Sequence, residues 1–295
     1  MTTSETGHRL DIGAINITAV SDGIVPMPIH MLFGDTPEDV WDPYRQRFPE
    51  AFDDKGFTLN LGSFVIRSRD RTILVDTGVG PYSLWPTMWP PIPEAGPGPA
   101  ELIDDMKGKG FGVDEIDTVF LTHLHGDHVG WNLSRENEGW VPTFPNARYL
   151  LQSADWKHFT QPEFLDIGRR EAAERNYLPL DDLGALDLIE GDYEVADGLT
   201  AIHAPGHTPG HMGMLILSGN ERALIIGDIA GSPMHISEPD LPYNPDFNPE
   251  EGRASRHRLL DMAESEDMIV LGSHMSRPGW GRLIRWEGKR SWQGL

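Results

Sequence analysis

The stretch FLTHLHGDHVGWN, residues 120–132, places three histidines and an aspartate within six positions, directly after an apolar run. His123 and His125 alternate on a segment predicted to be extended, so their imidazoles point to the same side. If the chain then turns into a helix, Asp127 and His128 face a second point close by. Neutral imidazole and carboxylate bind divalent cations, so this segment is predicted to serve two metal ions.

The composition excludes several other classes of protein. The chain has 295 residues, with 24 lysines and arginines against 46 aspartates and glutamates, and a formal net charge of -22. Such a polyanion repels nucleic acid and anionic membrane surfaces. There is no cysteine, so disulfides, thiolate nucleophiles and cysteine metal sites are excluded. The start has no signal-peptide pattern and no apolar run is long enough to span a bilayer, so we expect a cytoplasmic protein without nucleic-acid or membrane partners.

Short strand-like runs separated by turns recur along the chain, a pattern typical of α/β proteins. Residues 15–23, 58–68 and 71–78 are predicted to be consecutive strands, and a tight polar turn between the last two indicates an antiparallel start. The opening motif follows a buried strand predicted over 116–123. A last buried strand, predicted over 267–274, also ends in a histidine.

Helices and loops are predicted from capping residues and from the density of proline. Residues 99–110 and 249–264 are predicted to be helices. Two stretches, 80–99 and 232–249, are rich in proline and lack any regular period. Long loops in compact domains are often functional, so we predict that both lie near a site.

Further ligand-type residues follow other predicted strands, in the sequences APGHTPGH, IIGDI and LGSH. Together with ILVDTG and THLHGDHVG, this ordered set resembles the signature of the metallo-β-lactamase superfamily. The resemblance extends from Ile15 to Arg285. It implies one domain over residues 1–295, built as a four-layer αββα sandwich, with a two-metal site in a groove at one edge of its two sheets.

Carried over position by position, the resemblance also implies a ligand set. The first metal would be held by His123, His125 and His207, the second by Asp127, His128 and His274, with Asp228 bridging both. Spacing alone does not choose among His203, His207 and His211. Only the register of GHTPGH selects His207, and we expect the other two to be ordinary hydrogen-bonded histidines. Asp76 is implied to brace the ligand loop without binding metal.

This set of ligand-type residues predicts a hydrolase. Two dications that share a water lower its pKa and supply a hydroxide nucleophile, with no cysteine or serine required. Asp127 would then be both a ligand and the catalytic proton acceptor. A histidine and carboxylate set accepts zinc, iron, manganese or cobalt, and zinc is the first choice.

Within the superfamily the resemblance narrows to one branch. The lack of cysteine excludes the β-lactamases that bind zinc through a thiolate, and too few residues follow His274 for the helical domain of glyoxalase II-like enzymes. The N-terminal extension 24–57, HVGWN and the ending SHMSRPGWGRLIR look like the lactonase and methyl parathion hydrolase-like branch. This resemblance implies a homodimer, with segment 24–57 at the contact.

One position departs from that branch. Acyl-homoserine lactonases commonly place a tyrosine three residues after the bridging aspartate, where this chain has Gly231. We interpret the glycine as the loss of a phenol that would assist the substrate carbonyl, and as open space for a bulkier ring.

Aromatic side chains are predicted to line an apolar pocket over the metals. The candidates are Phe33, Trp85, Trp89, Trp131, Tyr243 and Trp280. For any one of them, packing in the core or in a loop is an equally good interpretation. As a set they favour a small organic substrate that is uncharged or weakly charged.

The first hypothesis is therefore a dinuclear metal-dependent hydrolase that opens lactones or cleaves carboxylic esters. The alternative is a phosphotriester hydrolase of the methyl parathion hydrolase type. A non-catalytic binding protein on the same fold is the competing hypothesis from another class, because fold does not fix function. Metal analysis and one ester assay distinguish the binding protein from the two hydrolases.

Overall fold

The computed structural model describes residues 8–54, 56–81, 100–165 and 169–295. In this part of the chain the strands form two large β-sheets and one small two-stranded ribbon. None of the helices described is both long and apolar enough to cross a membrane.

The first sheet contains eight strands among the described residues. They are β1 (Arg9–Ile12), β2 (Ile15–Met27), β3 (Phe52–Asp53), β4 (Gly56–Ser68), β5 (Arg71–Val75), β6 (Thr118–Phe120), β9 (Arg148–Gln152) and β10 (Leu186–Ile189). The order is β1-β2-β4-β5-β6-β9-β10, with β3 paired to β4. Strands β2, β4 and β5 are antiparallel, which confirms the predicted antiparallel start, and β5, β6, β9 and β10 are parallel.

The second sheet contains seven strands, and they lie in sequence order. They are β11 (Tyr193–Ala196), β12 (Leu199–His203), β13 (Met212–Ser218), β14 (Glu221–Ile225), β15 (Ile269–Leu271), β16 (Trp280–Trp286) and β17 (Lys289–Gly294). All neighbouring pairs are antiparallel except β14 and β15. The ribbon pairs β7 (Leu133–Glu136) with β8 (Gly139–Pro142).

The helices are mostly short. They are α1 (Ile29–Phe33), α2 (Asp42–Arg47), α3 (Leu102–Gly108), α4 (Ser153–Phe159), α5 (Arg169–Asn176), α6 (Pro179–Asp182), α7 (Pro233–Ser237) and α8 (Pro249–Ser265). Single 3-10 turns occur at Glu38–Trp41, Pro49–Ala51 and Val113–Glu115. Helix α8 is the longest of those described, and its start is fixed by the Asn248 cap and by Pro249 in the first turn.

Three hydrophobic clusters fill the spaces between four layers. Side chains alternate along each strand, so one strand serves two clusters. In β9, Leu150 faces the second sheet, whereas Tyr149 and Leu151 face the layer of α3 to α6. In β14, Ile225 faces the first sheet and Leu224 faces α8. The predicted four-layer α/β sandwich is confirmed.

The N-terminal extension 24–57 wraps over the α8 side of the second sheet. It leaves β2, passes through α1 and α2, and returns into β4. Phe33, Trp41 and Phe57 pack against one another there and are fully buried. The extension therefore completes the hydrophobic cluster on that face.

Parallel pairing brings the predicted ligands to one edge of the sandwich. In the first sheet Val75 is opposite Phe120, so Asp76 and the His123 loop leave β5 and β6 side by side. In the second sheet Ile225 is opposite Leu271, so the loops to Asp228 and His274 also leave together. Segments that leave neighbouring parallel strands at the same end stay close in space.

Two local predictions were wrong. Residues after Gly126 form a turn instead of a helix, closed by the backbone hydrogen bond from the His128 amide to the His125 carbonyl at 3.0 Å. Segment 232–249 is not all loop, because Ser232 caps the short helix α7 and only the residues that follow it are irregular. Of segment 80–99, all but the first two residues lie outside the described residues.

We predict that Ile216→Ala destabilises the protein by about 2–5 kcal/mol, because the fully buried side chain lies between the two sheets and leaves a cavity. The control is Leu217→Ala on the same strand, where the side chain is 41% exposed and the cost stays within about 0.5 kcal/mol. Urea unfolding measures both. Equal losses for the two variants would contradict the two-sheet core.

Candidate metal centre

Seven predicted ligands from four loops meet at a single site. The groups whose ligand atoms lie within 4.8 Å of one another are His123 with His125 and His207, His123 with His128 and Asp228, and Asp127 with His128 and His274. The structure therefore brings the whole predicted set together. The three groups share members, so their centres are adjacent.

Asp228 lies between the groups and touches both. Its Oδ2 is 3.1 Å from Nε2 of His274 and 3.5 Å from Nε2 of His207. Its Oδ1 is 3.4 Å from Nε2 of His128. The carboxylate therefore lies between the two halves of the site, with Oδ2 close to a histidine of each.

Three polar atoms at the centre lack hydrogen bonds. Among the described residues, Nε2 of His123, Nε2 of His128 and Oδ1 of Asp228 are buried without any hydrogen-bond partner. Leaving such an atom unsatisfied costs about 1–3 kcal/mol. Imidazole nitrogens and carboxylate oxygens that converge in this way fit divalent cations, which would satisfy all three atoms at once.

Outer hydrogen bonds turn the Nε2 atoms inward. Nδ1 of His128 is 2.8 Å from Asp76, Nδ1 of His207 is 3.1 Å from Asp246, and Nδ1 of His274 is 2.9 Å from the carbonyl oxygen of Asn60. A proton held on Nδ1 by an acceptor leaves the lone pair on Nε2 free for a metal.

Asp76 directly follows β5 and braces the ligand loop. One oxygen accepts the backbone amide of Thr122 and the other accepts the Thr122 hydroxyl, both at 2.8 Å, in addition to the contact with His128. The residue adopts a left-handed backbone with φ of 60°. This strained conformation is retained because the carboxylate is fixed by three groups of the loop.

Asp155 is a supporting residue that the sequence did not single out. Its carboxylate accepts hydrogen bonds from the Leu124 amide at 3.2 Å, the Gly210 amide at 2.6 Å and the Thr208 hydroxyl at 2.9 Å. It thereby joins the His123 loop to the His207 loop. Burial raises the pKa of Asp155 to about 6. Nothing in its sequence context, the first turn of a short helix, distinguishes it from an exposed acid.

Asp246 and Arg256 are two further residues that the sequence did not single out. Asp246 holds His207 through one oxygen and receives the guanidinium of Arg256 at 3.0 Å on the other. Both side chains are almost fully buried. Asp246 was predictable only in part, because it belongs to the segment 232–249 that was predicted to lie near the site.

The charges at the site divide the histidines into two kinds. Burial and neighbouring histidines hold the pKa values of His123 and His125 well below the ordinary value, so both are neutral ligands at pH 7. Burial also acts to lower the pKa of His128 and His274, but nearby carboxylates, above all Asp228, outweigh it. The pKa of His128 is held well above its ordinary value, and that of His274 is raised to about 9.

The two neighbouring histidines form ordinary hydrogen bonds, as predicted. His211 is buried and accepts the amide of Asp228 on Nε2 at 2.9 Å, with the carbonyl of Ala204 3.1 Å from its Nδ1. Nε2 of His203 is 3.2 Å from the carbonyl of Pro209. Both nitrogens of His211 are engaged, so it positions Asp228 and has no ring nitrogen free for a metal.

The space beside Gly231 is occupied, so its interpretation as open space was wrong. A Cβ atom placed on Gly231 would lie 2.2 Å from the hydroxyl oxygen of Tyr243, so the tyrosine fills that space. Its ring stacks on His207, with centroids 5.6 Å apart, and it lines a small cavity with Asp127, Asp228 and His274. The phenol missing from position 231 is thus supplied by a different segment.

The other predicted pocket aromatics lie elsewhere. Phe33 is fully buried in the cluster beneath the extension, and Trp280 packs between the two sheets. Trp131 donates its indole NH to the buried Asp22 at 2.9 Å. These three residues therefore serve packing. Trp85 and Trp89 lie outside the described residues.

A cavity of about 530 Å³ opens beside the ligands, within the range of small-molecule sites. His125 and Asp127 form part of its wall, and Phe159, Phe164 and Phe247 form much of the rest. These aromatic residues were not among the candidates from the sequence. They lie in α4 and in two irregular segments, where no hydrophobic period distinguishes pocket residues from core residues.

The geometry agrees with comparisons to known proteins. Residues 63–274 match the family model of the metallo-β-lactamase superfamily. This match covers well over half of the chain, and the chain belongs to the metallo-β-lactamase superfamily. An N-acyl homoserine lactonase from Bacillus thuringiensis is 25% identical over 173 residues, which cover 59% of this chain and 61% of that relative. The match thus spans about three fifths of the curated relative.

Solved structures extend the likeness over almost the whole chain. The hydrolase AbOPH of the β-lactamase superfamily superimposes with a TM-score of 0.82 at 22% identity, covering 98% of this chain and 97% of that one. AidC, a dizinc quorum-quenching lactonase in complex with a product, superimposes with a TM-score of 0.77 at 19% identity, covering 97% and 96%. At these identities the comparisons show a shared fold.

We predict that zinc binding to chelator-treated protein at pH 7 releases protons. The raised pKa values of His128 and His274 keep both protonated at pH 7 without metal, and a ligand must lose its proton to bind a cation. Calorimetry in buffers of different ionisation enthalpy measures the release.

The control for proton release is His274→Gln, which removes one of the two protonated groups and should release about one proton fewer. Binding heats that do not depend on the buffer would contradict the charge arrangement described above.

Proposed function

We propose that this protein is a dinuclear metal-dependent hydrolase that opens lactones or cleaves carboxylic esters. The observation that carries the proposal is the convergence of three adjacent ligand groups, with Asp228 close to histidines of both predicted metal sites, beside a largely apolar cavity. The similarity to N-acyl homoserine lactonases and to a dizinc lactonase supports the same reaction class.

We assign the ligands as the resemblance implies. His123, His125 and His207 would hold the first metal and Asp127, His128 and His274 the second, with Asp228 shared. We propose zinc for both sites, since the histidine-rich set suits it and a structural neighbour is a dizinc enzyme. A non-catalytic binding protein would not need the complete set of seven ligands.

Two divalent metals held by these residues would supply a water of lowered pKa and positive charge for the substrate carbonyl. Asp127 is placed to accept the proton of the attacking water. Its side chain is about 10% exposed, faces the cavity, and lies 3.5 Å from Nε2 of His274. Its oxygen is therefore available to the reacting atoms and is held in place by the neighbouring ligand.

Tyr243 is the proposed donor to the substrate's carbonyl oxygen. Its ring is held against His207, on the side of the first ligand group, and its hydroxyl has no hydrogen-bond partner within the part of the chain that the structure describes. A phenol is positioned here to donate to negative charge as it develops on that oxygen. Tyr243 would thus replace the tyrosine expected at position 231.

A homodimer and a cytoplasmic location stay predictions. The large apolar residues of segment 24–57 that the resemblance assigned to a dimer contact are mostly buried within their own chain, among them Trp41 and Phe57. Ile24, 50% exposed, is the main apolar side chain that the segment leaves on the surface.

We predict that metal-loaded protein hydrolyses lactones with the highest kcat/KM, aryl carboxylic esters next, and phosphotriesters least. A lactone presents a planar carbonyl, and its leaving alkoxide stays tethered beside the second ligand group. The panel contains an acyl-homoserine lactone, an aromatic lactone, 4-nitrophenyl acetate, paraoxon, a β-lactam and a glutathione thioester.

Metal analysis of the same preparation should give two metal ions per chain. A paraoxon rate well above every lactone and ester rate would replace the proposed function with the phosphotriesterase alternative. No turnover of any substrate by fully loaded protein would favour the binding-protein hypothesis.

We predict that Tyr243→Phe lowers kcat about 10²-fold for lactones and aryl esters alike, with metal content and thermal stability unchanged. The variant keeps the ring on His207 and removes only the proposed donor. The control is Tyr44→Phe, which removes a hydroxyl bonded to Glu238 far from the ligands. A kcat within threefold of the parent would show that Tyr243 serves packing alone.

A further inference from the structure

One face of helix α5 forms part of the cavity wall. Arg169, Ala172, Ala173 and Asn176 all line the cavity. Their spacing of i, i+3, i+4 and i+7 places them on one side of the helix. A helix normally packs apolar residues along such a stripe, whereas this stripe has a cation at one end, an amide at the other and small alanines between them.

Arg169 differs from its neighbours in α5. Arg170 pairs with Glu174 and Arg175 pairs with Glu171, both within the helix. Arg169 makes no ion pair or hydrogen bond with any residue that the structure describes, and its guanidinium lies over the Phe164 ring, 4.6 Å from the ring centroid. In a chain with about twice as many acids as bases, Arg169 is an exposed cation on the cavity wall that pairs with no acid among the described residues.

Asn176 lies on the same face of α5 and lines the same cavity. The residue is 7% exposed, and its amide makes no hydrogen bond with any residue that the structure describes. It is not among the described polar atoms that are sealed from solvent without a partner, so the amide is open to the cavity. It is therefore available to bond to a molecule held there.

Side chains of opposite charge lie at different places on the cavity wall. Asp127 supplies negative charge at the end nearest the metal ligands, and Arg169 supplies the positive charge on α5. His158 also lines the cavity, but burial, with Arg169 nearby, lowers its pKa and keeps it neutral at pH 7. The net charge of -22 repels anions at a distance, so local recognition of an anion depends on Arg169.

We propose that the α5 face is a subsite for a carboxylate carried by the substrate's acyl chain, away from the ester or lactone bond. Arg169 binds the carboxylate, Asn176 bonds to an oxygen of the chain, and the apolar part packs against Phe159 and Phe164. The inference rests on the proposed function and names its substrate class, an ester or lactone with an acid-terminated acyl group.

The kinetic test uses pairs of 4-nitrophenyl esters. Each pair has acyl chains of equal length, one a half-ester of a dicarboxylic acid such as suberate, the other the ester of the monocarboxylic acid such as octanoate. Arg169→Gln should raise KM for the acid-terminated member about 10-fold and leave the neutral member unchanged, because only the former loses a charge-assisted hydrogen bond. Arg169→Lys should restore much of the affinity.

The matched control is Arg170→Gln, which removes an arginine of the same helix that faces Glu174. It should change neither substrate. Equal KM changes for both esters in Arg169→Gln, or the same result for Arg169→Gln and Arg170→Gln, would overturn the subsite.

A binding measurement separates the subsite from the reaction. Monomethyl suberate is titrated into chelator-treated protein by calorimetry, with methyl octanoate as the neutral probe. Binding of the acid that weakens about 10-fold in Arg169→Gln supports the subsite even if no ester is hydrolysed, in which case only the proposed function fails. Binding that is insensitive to Arg169, in an enzyme that turns over neutral esters, overturns the subsite and leaves the proposed function standing.

Discussion

The rest of this structure depends on the crowding of imidazole and carboxylate groups around Asp228. Its two oxygens lie 3.1 to 3.5 Å from the Nε2 atoms of three histidines, in a site that is almost fully buried. Burying polar atoms without partners is costly, and His123 and His128 each leave Nε2 without a hydrogen bond among the described residues. The arrangement becomes favourable when divalent cations take the place of the missing hydrogen-bond partners. The fold therefore has to hold the imidazole and carboxylate groups at these distances.

The fold meets this requirement by supporting the ligand loops from outside. Asp76 fixes Thr122 and His128, Asp155 joins the His123 loop to the His207 loop, and Asp246 holds His207 with help from Arg256. Each support is a buried carboxylate with two or three donors, so its own burial is compensated. These supports fix the ligand loops to the core around them, while helix α5 and segment 232–249 contribute residues to the cavity wall.

Local patterns predicted the layered fold and the residues that converge at one site, and they failed where the answer depended on packing between distant segments. The antiparallel start, helix α8 and the strand-end positions of His123, Asp228 and His274 were predicted because period, caps and motif spacing are local. The turn after Gly126 was predicted as a helix, since nothing local forbids either. Gly231 was interpreted as empty space, although Tyr243 lies twelve residues further on and fills it.

By itself, the sequence determined the chemistry available to this protein: a His and Asp set with no cysteine, placed after apolar strands, suits divalent cations and excludes thiolate chemistry. Only the tertiary structure decided which aromatic residues are core and which line the cavity, and that Arg169 faces the cavity while Arg170 faces Glu174. The physical reason is that ligand identity is a property of single residues, whereas cavity shape and charge direction arise from side chains far apart in the chain.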